Sequence, residues 1–174
     1  MSGLLTVRRL GPADAEAYRA LCLRAYAEHP DAFTATVDER AAKPMGFWLS
    51  RVNDAADADE CVFGALAEGE LVGFAGLEFE SRPKTRHKAG LFGMYVRPDQ
   101  RGRRAGDALV QAVLAAARAR PGVRFIKLTV TEGNASAEAL YTRCGFERFG
   151  VEPLAMLDVV RGGFLAKVHM GCVL

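Results

Sequence analysis

Residues 96–106, Val96-Arg97-Pro98-Asp99-Gln100-Arg101-Gly102-Arg103-Arg104-Ala105-Gly106, leave an apolar segment and run into a stretch with helical spacing. Ala105, Leu109, Ala112, Val113 and Ala116 fall on one helical face, and Pro121-Gly122 stops the helix they predict. The segment before the turn, residues 89–96, is apolar and contains Gly90 and Gly93, which predicts a strand with a bulge or a close backbone approach. A strand, a Gly-containing turn and a helix start in succession can receive an anion. The first N–H groups of a helix lack partners within it, and the helix dipole adds positive potential there. An Arg- and Gly-containing turn taken alone is equally well a solvated loop, so the surrounding chain decides.

Toward the N-terminus, residues 61–67 and 71–79 are apolar runs separated by Glu68-Gly69, a hairpin turn, and they predict an antiparallel pair. With residues 89–96 they form a meander. The basic run Arg82-Pro83-Lys84-Thr85-Arg86-His87-Lys88 between them suits a charged hairpin tip. Residues 4–10 predict a short strand. After Gly11-Pro12, Ala17, Leu21 and Ala25 recur at helical spacing until Pro30. Residues 38–50 predict a second helix interrupted by Pro44 and Gly46, and residues 51–60 a loop.

Toward the C-terminus, residues 123–130 predict a strand. Residues 135–143 predict a short helix closed by Gly145, where a left-handed cap is cheap. Residues 146–154 and 166–173 predict two last strands joined across Arg161-Gly162-Gly163. This order predicts an α/β (α+β) fold over residues 1–174 as a single domain. Its expected form is one mixed, mostly antiparallel twisted sheet of about seven strands, with about four helices on its faces.

The chain has 174 residues, half of them apolar, and a net charge of +2 spread over both signs, so its overall balance asks for neither nucleic acid nor an anionic membrane. No apolar run approaches the length of a bilayer span, and residues 1–10 lack the apolar region of a signal peptide. A soluble, cytoplasmic protein is the expectation. Cys22, Cys61, Cys144 and Cys172 lie far apart without a C-x-x-C pair, which argues against a zinc site or disulfide framework and for small buried residues.

A second segment gives the turn its meaning. Residues 96–106 resemble the V-x-P-x-x-[QR]-x-x-G-x-[GA] signature of the GNAT superfamily of N-acetyltransferases, with Arg101 at the [QR] position and Gly106 at the last. Asn134-x-x-Ala137-x-x-Leu140-Tyr141-x-x-Cys144-Gly145-Phe146 resembles the same family's N-x-x-A-x-x-L-Y-x-x-x-G-F segment. The first signature glycine falls at Arg104, a departure that leaves the backbone N–H in place. The resemblance implies the GNAT fold with splayed parallel central strands, and acetyl-CoA as co-substrate. It implies that the pyrophosphate is held at Arg101, Gly102, Arg103, Arg104, Ala105 and Gly106.

The resemblance further implies that the pantetheine arm meets backbone groups of Met94, Tyr95 and Val96, one freed N–H near Met94 or Tyr95 stabilising the oxyanion. Asn134 would face the same cleft. Tyr141, protonated at neutral pH, takes the family's place of proton donor to the departing thiolate. An attacking amine must be neutral. The position where some members carry a glutamate base is Thr129, so Glu78, Glu80, Glu132 and His87 remain as alternative bases, each also explained as solvated surface. Phe33, Phe47 and Trp48 are candidates to line the acceptor pocket. The implied activity is acetyl transfer to a primary amine of a small molecule or peptide, without metal, nucleic acid or membrane, and with a homodimer allowed. Two rivals remain: a non-catalytic coenzyme A sensor, and a nucleic-acid-binding module using the Arg97, Arg101, Arg103 and Arg104 cluster.

Overall fold

The structure, a computed structural model, describes residues 5–174. Among these, seven strands form one sheet: β1 Leu5–Arg9, β2 Glu60–Ala67, β3 Glu70–Phe79, β4 Lys88–Val96, β5 Phe125–Thr131, β6 Glu147–Leu157 and β7 Phe164–Val173. Their order is β1-β2-β3-β4-β5-β7-β6, antiparallel throughout except for the β4–β5 pair. Residue 4, the expected start of β1, lies outside the described residues, as do residues 1–3 of the segment weighed as a signal peptide.

Five α-helices are present among the described residues: α1 Ala15–Glu28, α2 Val37–Ala41, α3 Met45–Arg51, α4 Ala105–Ala119 and α5 Ala135–Arg143. The helix expected over residues 38–50 is therefore two. Thr36 accepts from the Glu39 N–H, and the Glu39 carboxylate accepts from the Thr36 N–H at 2.6 Å, a reciprocal cap that starts α2 one residue earlier than expected. Pro44, extended at φ −67 and ψ 161, is the N-cap of α3, so it begins a helix instead of interrupting one. The last two strands also run further toward each other than expected, to Leu157 and from Phe164, across a register shift between Glu152 and Met156.

Strand alternation divides the core between the two faces of the sheet. Cys61, Ala75 and Leu77 pack with Leu109, Val113 and Leu114 of α4, while Val62 and Phe74 pack with Leu21, Cys22 and Trp48 of α1 and α3. Burying each large aliphatic side chain stabilises the fold by roughly 1.5–3 kcal/mol. Three cysteines are buried and all four are free. Cys144, the C-cap of α5, is half-buried, contrary to the expectation for it.

Two irregularities shape the centre of the sheet. Phe74 pairs with Tyr95 and Gly76 with Phe92, which leaves Gly93 and Met94 opposite Ala75: a bulge in β4, with Gly93 at φ 56. The parallel β4–β5 pairing holds only at Lys88↔Phe125, Ala89↔Ile126 and Gly90↔Lys127. Beyond Gly90 the two strands diverge. The bulge bends β4 where the pairing ends, and a wedge opens between two strands that would otherwise be adjacent throughout.

Candidate active site

Residues 97–104 carry the chain from β4 into α4. Gly102 has φ +80, and Arg104, the N-cap of α4, has φ 59 and ψ 20, within the left-handed region. Holding a residue with a Cβ there costs on the order of 1 kcal/mol. The backbone at Arg104 thus takes a conformation that glycine adopts freely. No side chain caps α4. The Ala108 N–H donates to the Arg104 carbonyl at 3.0 Å, so Ala105, Gly106 and Asp107 carry the N–H groups that a helix leaves without an internal acceptor. The Asp107 carboxylate in this first turn is neutralised by Arg143 at 3.2 Å.

This helix start opens on a cleft of about 1240 Å³ lined by Met94, Tyr95, Val96, Arg101, Gly102, Arg104, Ala105 and Gly106. Arg101 folds back across it: its Nε donates to the Val96 carbonyl at 3.3 Å and its Nη2 lies 3.1 Å from His29 Nε2. Arg103 donates to the Gln100 side-chain oxygen at 2.7 Å. Arg97 is held between Glu70 and Asp99. Three of the four arginines that cluster in sequence, Arg97, Arg101 and Arg103, are therefore parcelled out among different partners.

Tyr95 lines the cleft, and its ring is buried against Phe74. Its hydroxyl donates to Glu28 Oε2 at 2.6 Å, tying α1 to β4. Burial first, and the bond to Glu28 second, push the Tyr95 hydroxyl up to about 12. The bulge leaves Gly93 and Met94 without register partners in either neighbouring strand.

A second cleft, of about 450 Å³, is lined by both strands of the wedge, from Gly90 to Met94 of β4 and from Lys127 to Thr131 of β5. Phe33, Met94, Thr131, Asn134 and Leu140 line both clefts, so the two meet there. The Thr131 hydroxyl donates to the Asp31 carbonyl at 2.6 Å and pins the turn after α1 across the gap. Asn134 is the N-cap of α5, its Oδ1 accepting from the Ala137 N–H at 3.3 Å and from the Ser136 hydroxyl at 3.2 Å. Capping engages that oxygen without removing the residue from the clefts.

Tyr141 lines the second cleft and is 5% exposed, its ring packed edge-on against Phe146. Burial pushes its hydroxyl well above the ordinary tyrosine range, which keeps the proton on it at neutral pH. Thus the tyrosine is both a core residue and a cleft residue.

The alternative bases separate in space. Glu78 lines the second cleft as an exposed residue, and partial desolvation first and neighbouring Glu60 next raise its carboxyl above the usual range, although Lys127 and Arg51 pull the other way. Glu80 is engaged by Thr85 and Lys127, Glu132 lies in the larger cleft and pairs with Arg148, and His87 sits in the β3–β4 connection. Phe33, Phe47 and Trp48 all line the second cleft, Trp48 also being core. Sequence patterns missed Arg40, Arg51, Phe92 and Lys167 in this lining. The alternation of β4 could have indicated Phe92, but the others are gathered from elements distant in sequence. Among the described residues no group of three or more His, Cys, Asp or Glu side chains could hold a metal ion, and no helix is long and apolar enough to cross a membrane.

A model of the acetyltransferase (GNAT) family matches residues 16–146. A mycothiol acetyltransferase of Salinispora tropica is 32% identical over 146 residues, covering 83% of this chain and 45% of its own length; the chain thus spans under half of that curated relative. The ribosomal-protein-alanine N-acetyltransferase structure from Brucella melitensis superposes with a TM-score of 0.78 at 26% identity, covering 97% of this chain and 99% of the other. A Salmonella typhimurium protein solved with its cofactor acetyl-CoA shares the fold, with a TM-score of 0.77 at 21% identity and coverage of 97% and 93%.

Proposed function

We propose, since this chain belongs to the acetyltransferase (GNAT) family, that it transfers the acetyl group of acetyl-CoA directly to a primary amine, with residues 1–174 acting as one acetyltransferase domain. One observation carries the reading. An uncapped helix start with a left-handed N-cap faces a cleft that continues through the wedge between β4 and β5 into a second cleft containing Tyr141. The residues present suit acetyl-CoA: the turn is a cradle of N–H groups for a pyrophosphate, and the wedge exposes strand backbone beside it.

Acetyl-CoA, when bound, supplies an activated acyl thioester. In this reading the turn from Arg101 to Gly106 holds the phosphates, and the backbone of Met94, Tyr95 and Val96 holds the pantetheine arm. Asn134 borders the arm on the α5 side. Because Met94 lacks a strand partner, a backbone N–H at Met94 or Tyr95 stabilises the developing oxyanion. Glu78, the candidate base in the second cleft, takes a proton from the incoming amine, a role that its raised carboxyl suits. The Tyr141 hydroxyl gives a proton to the leaving sulfur. Direct attack requires both clefts to meet at one point, and their shared lining at Met94 and Asn134 supports that.

Release of coenzyme A thiol from acetyl-CoA across a broad panel of primary amines and peptides tests the proposal. Amine-dependent release is expected. Tight acetyl-CoA binding with no release for any amine would favour a non-catalytic coenzyme A sensor.

A further inference from the structure

Two arginines in the second cleft converge on a single aromatic ring. Arg40 lies in α2 and Arg51 ends α3. Their guanidinium carbons stand 5.1 Å and 4.7 Å from the centroid of Phe47, and Arg51 also covers Phe92 at 4.9 Å. The Nε of each arginine is buried without a hydrogen-bond partner. So is the indole N–H of Trp48, which is 1% exposed and lines the same cleft. Arg40 forms no ion pair among the described residues, and Arg51 meets Glu60 at 4.0 Å, beyond hydrogen-bond reach. Burial raises the Tyr18 and Tyr26 hydroxyls, so they stay protonated and add no negative charge beside Arg51 and Arg40.

The charge balance of the lining is lopsided. Arg40, Arg51, Lys127 and Lys167 face it against a single carboxylate, Glu78. Lys127 answers Glu80 at 3.6 Å and Lys167 bonds the Thr34 hydroxyl, which leaves the arginine pair as the concentrated positive end. Buried donors without acceptors are unfavourable in a resting fold and favourable once an anion arrives. Planar guanidinium forks match a carboxylate edge to edge, and stacking on Phe47 fixes their planes beforehand. A cleft of about 450 Å³ has the size of a small-molecule site.

We infer that the acceptor is a free α-amino acid, its carboxylate seated by Arg40, Arg51 and the Trp48 N–H. Its amine is drawn toward Glu78 at the wedge. This inference rests on the acetyltransferase reading above. In the transfer, the amine nitrogen forms the amide bond to the acetyl carbon as the carbon–sulfur bond breaks; the nitrogen loses a proton to the base, and the sulfur gains one from Tyr141. The apolar walls of Phe33 and Phe92 leave room for an uncharged side chain.

The test follows coenzyme A thiol release by the full chain with each common L-amino acid and with its amide, which differs only in lacking the negative charge. The acid is expected to show a KM at least about tenfold below that of its amide. R40Q and R51Q are expected to remove that preference by raising the KM of the acid about tenfold while acetyl-CoA affinity stays within about twofold. R40K and R51K, which keep the charge and lose the fork, replace any glutamine variant that melts early and should lose most of the preference. Where no amino acid turns over, calorimetric titration of the same acids and amides onto the coenzyme A-loaded protein decides. Binding of the acid alone, lost in R51Q, supports the inference; equal binding or none overturns it. Amides or peptide N-termini acetylated as well as free acids also overturn it, and leave the acetyltransferase reading standing. Failure of acetyl-CoA itself to bind overturns that underlying reading instead.

Discussion

Gly106, in the first turn of α4, stands so close to Leu140 of α5 that a Cβ there would lie 3.2 Å from Leu140 Cδ2, and 3.4 Å from Met94 Cε. The small residue thus sets the contact between the helix start and the wedge, besides leaving room above it. Gly106→Val is expected to destabilise the fold by about 1–3 kcal/mol through overpacking and to weaken acetyl-CoA binding. Gly106→Ala should do less of both. Melting temperature and acetyl-CoA titration check each part; unchanged values in the valine variant would mean that this contact does not control the turn.

Arg104 takes the left-handed conformation at the helix start. If its backbone alone matters, Arg104→Gly keeps acetyl-CoA affinity within a few-fold. Relief of strain, worth about 1 kcal/mol, is offset by the greater freedom of glycine in the unfolded chain, so stability should change little. A loss of affinity of about tenfold or more would instead assign the guanidinium a direct role with the phosphates.

For Tyr141, removing the hydroxyl while keeping the ring separates chemistry from packing. Tyr141→Phe should lower kcat by at least about tenfold and leave KM for acetyl-CoA nearly unchanged. The raised hydroxyl predicts that wild-type turnover shows no alkaline loss from this group near its ordinary value of about 10. Steady-state kinetics over pH measure both, and a Tyr141→Phe enzyme with normal kcat would remove the residue from the mechanism.

Glu78 offers a pH test with a definite sign. Partial desolvation and Glu60 raise its carboxyl, so kcat/KM should increase as pH rises through that raised value, and the limb should vanish in Glu78→Gln. Stability moves in the opposite sense. A group held more protonated in the folded state favours folding least once pH exceeds its folded value. Glu78→Gln should therefore stabilise the protein at neutral pH, with the gain fading below the ordinary carboxyl range. Thermal melts at several pH values read this out.

The fold was legible where local chemistry decides it. Glu68 and Gly69 both take positive φ, 53 and 84, as a tight antiparallel hairpin requires, and Gly145 closes α5 at φ 96. The Thr36 to Glu39 cap went unread in the sequence, and Pro44, expected to interrupt a helix, serves as a helix start. The family resemblance carried by Val96 to Gly106 and Asn134 to Phe146 brought the turn and Tyr141 into view. No local pattern could reveal that Tyr95 would bond Glu28, 67 positions away, or that Arg40 and Arg51 would share the ring of Phe47. Such encounters depend on which faces the sheet presents to α1, α2 and α3, and the sheet is set by long-range pairing.

The most direct test of the central claim is calorimetric titration of acetyl-CoA onto the purified chain. Saturable one-to-one binding, weakened about tenfold or more by Gly106→Val, is the predicted result. Absence of binding at millimolar acetyl-CoA would contradict the assignment of the turn between β4 and α4 as its site.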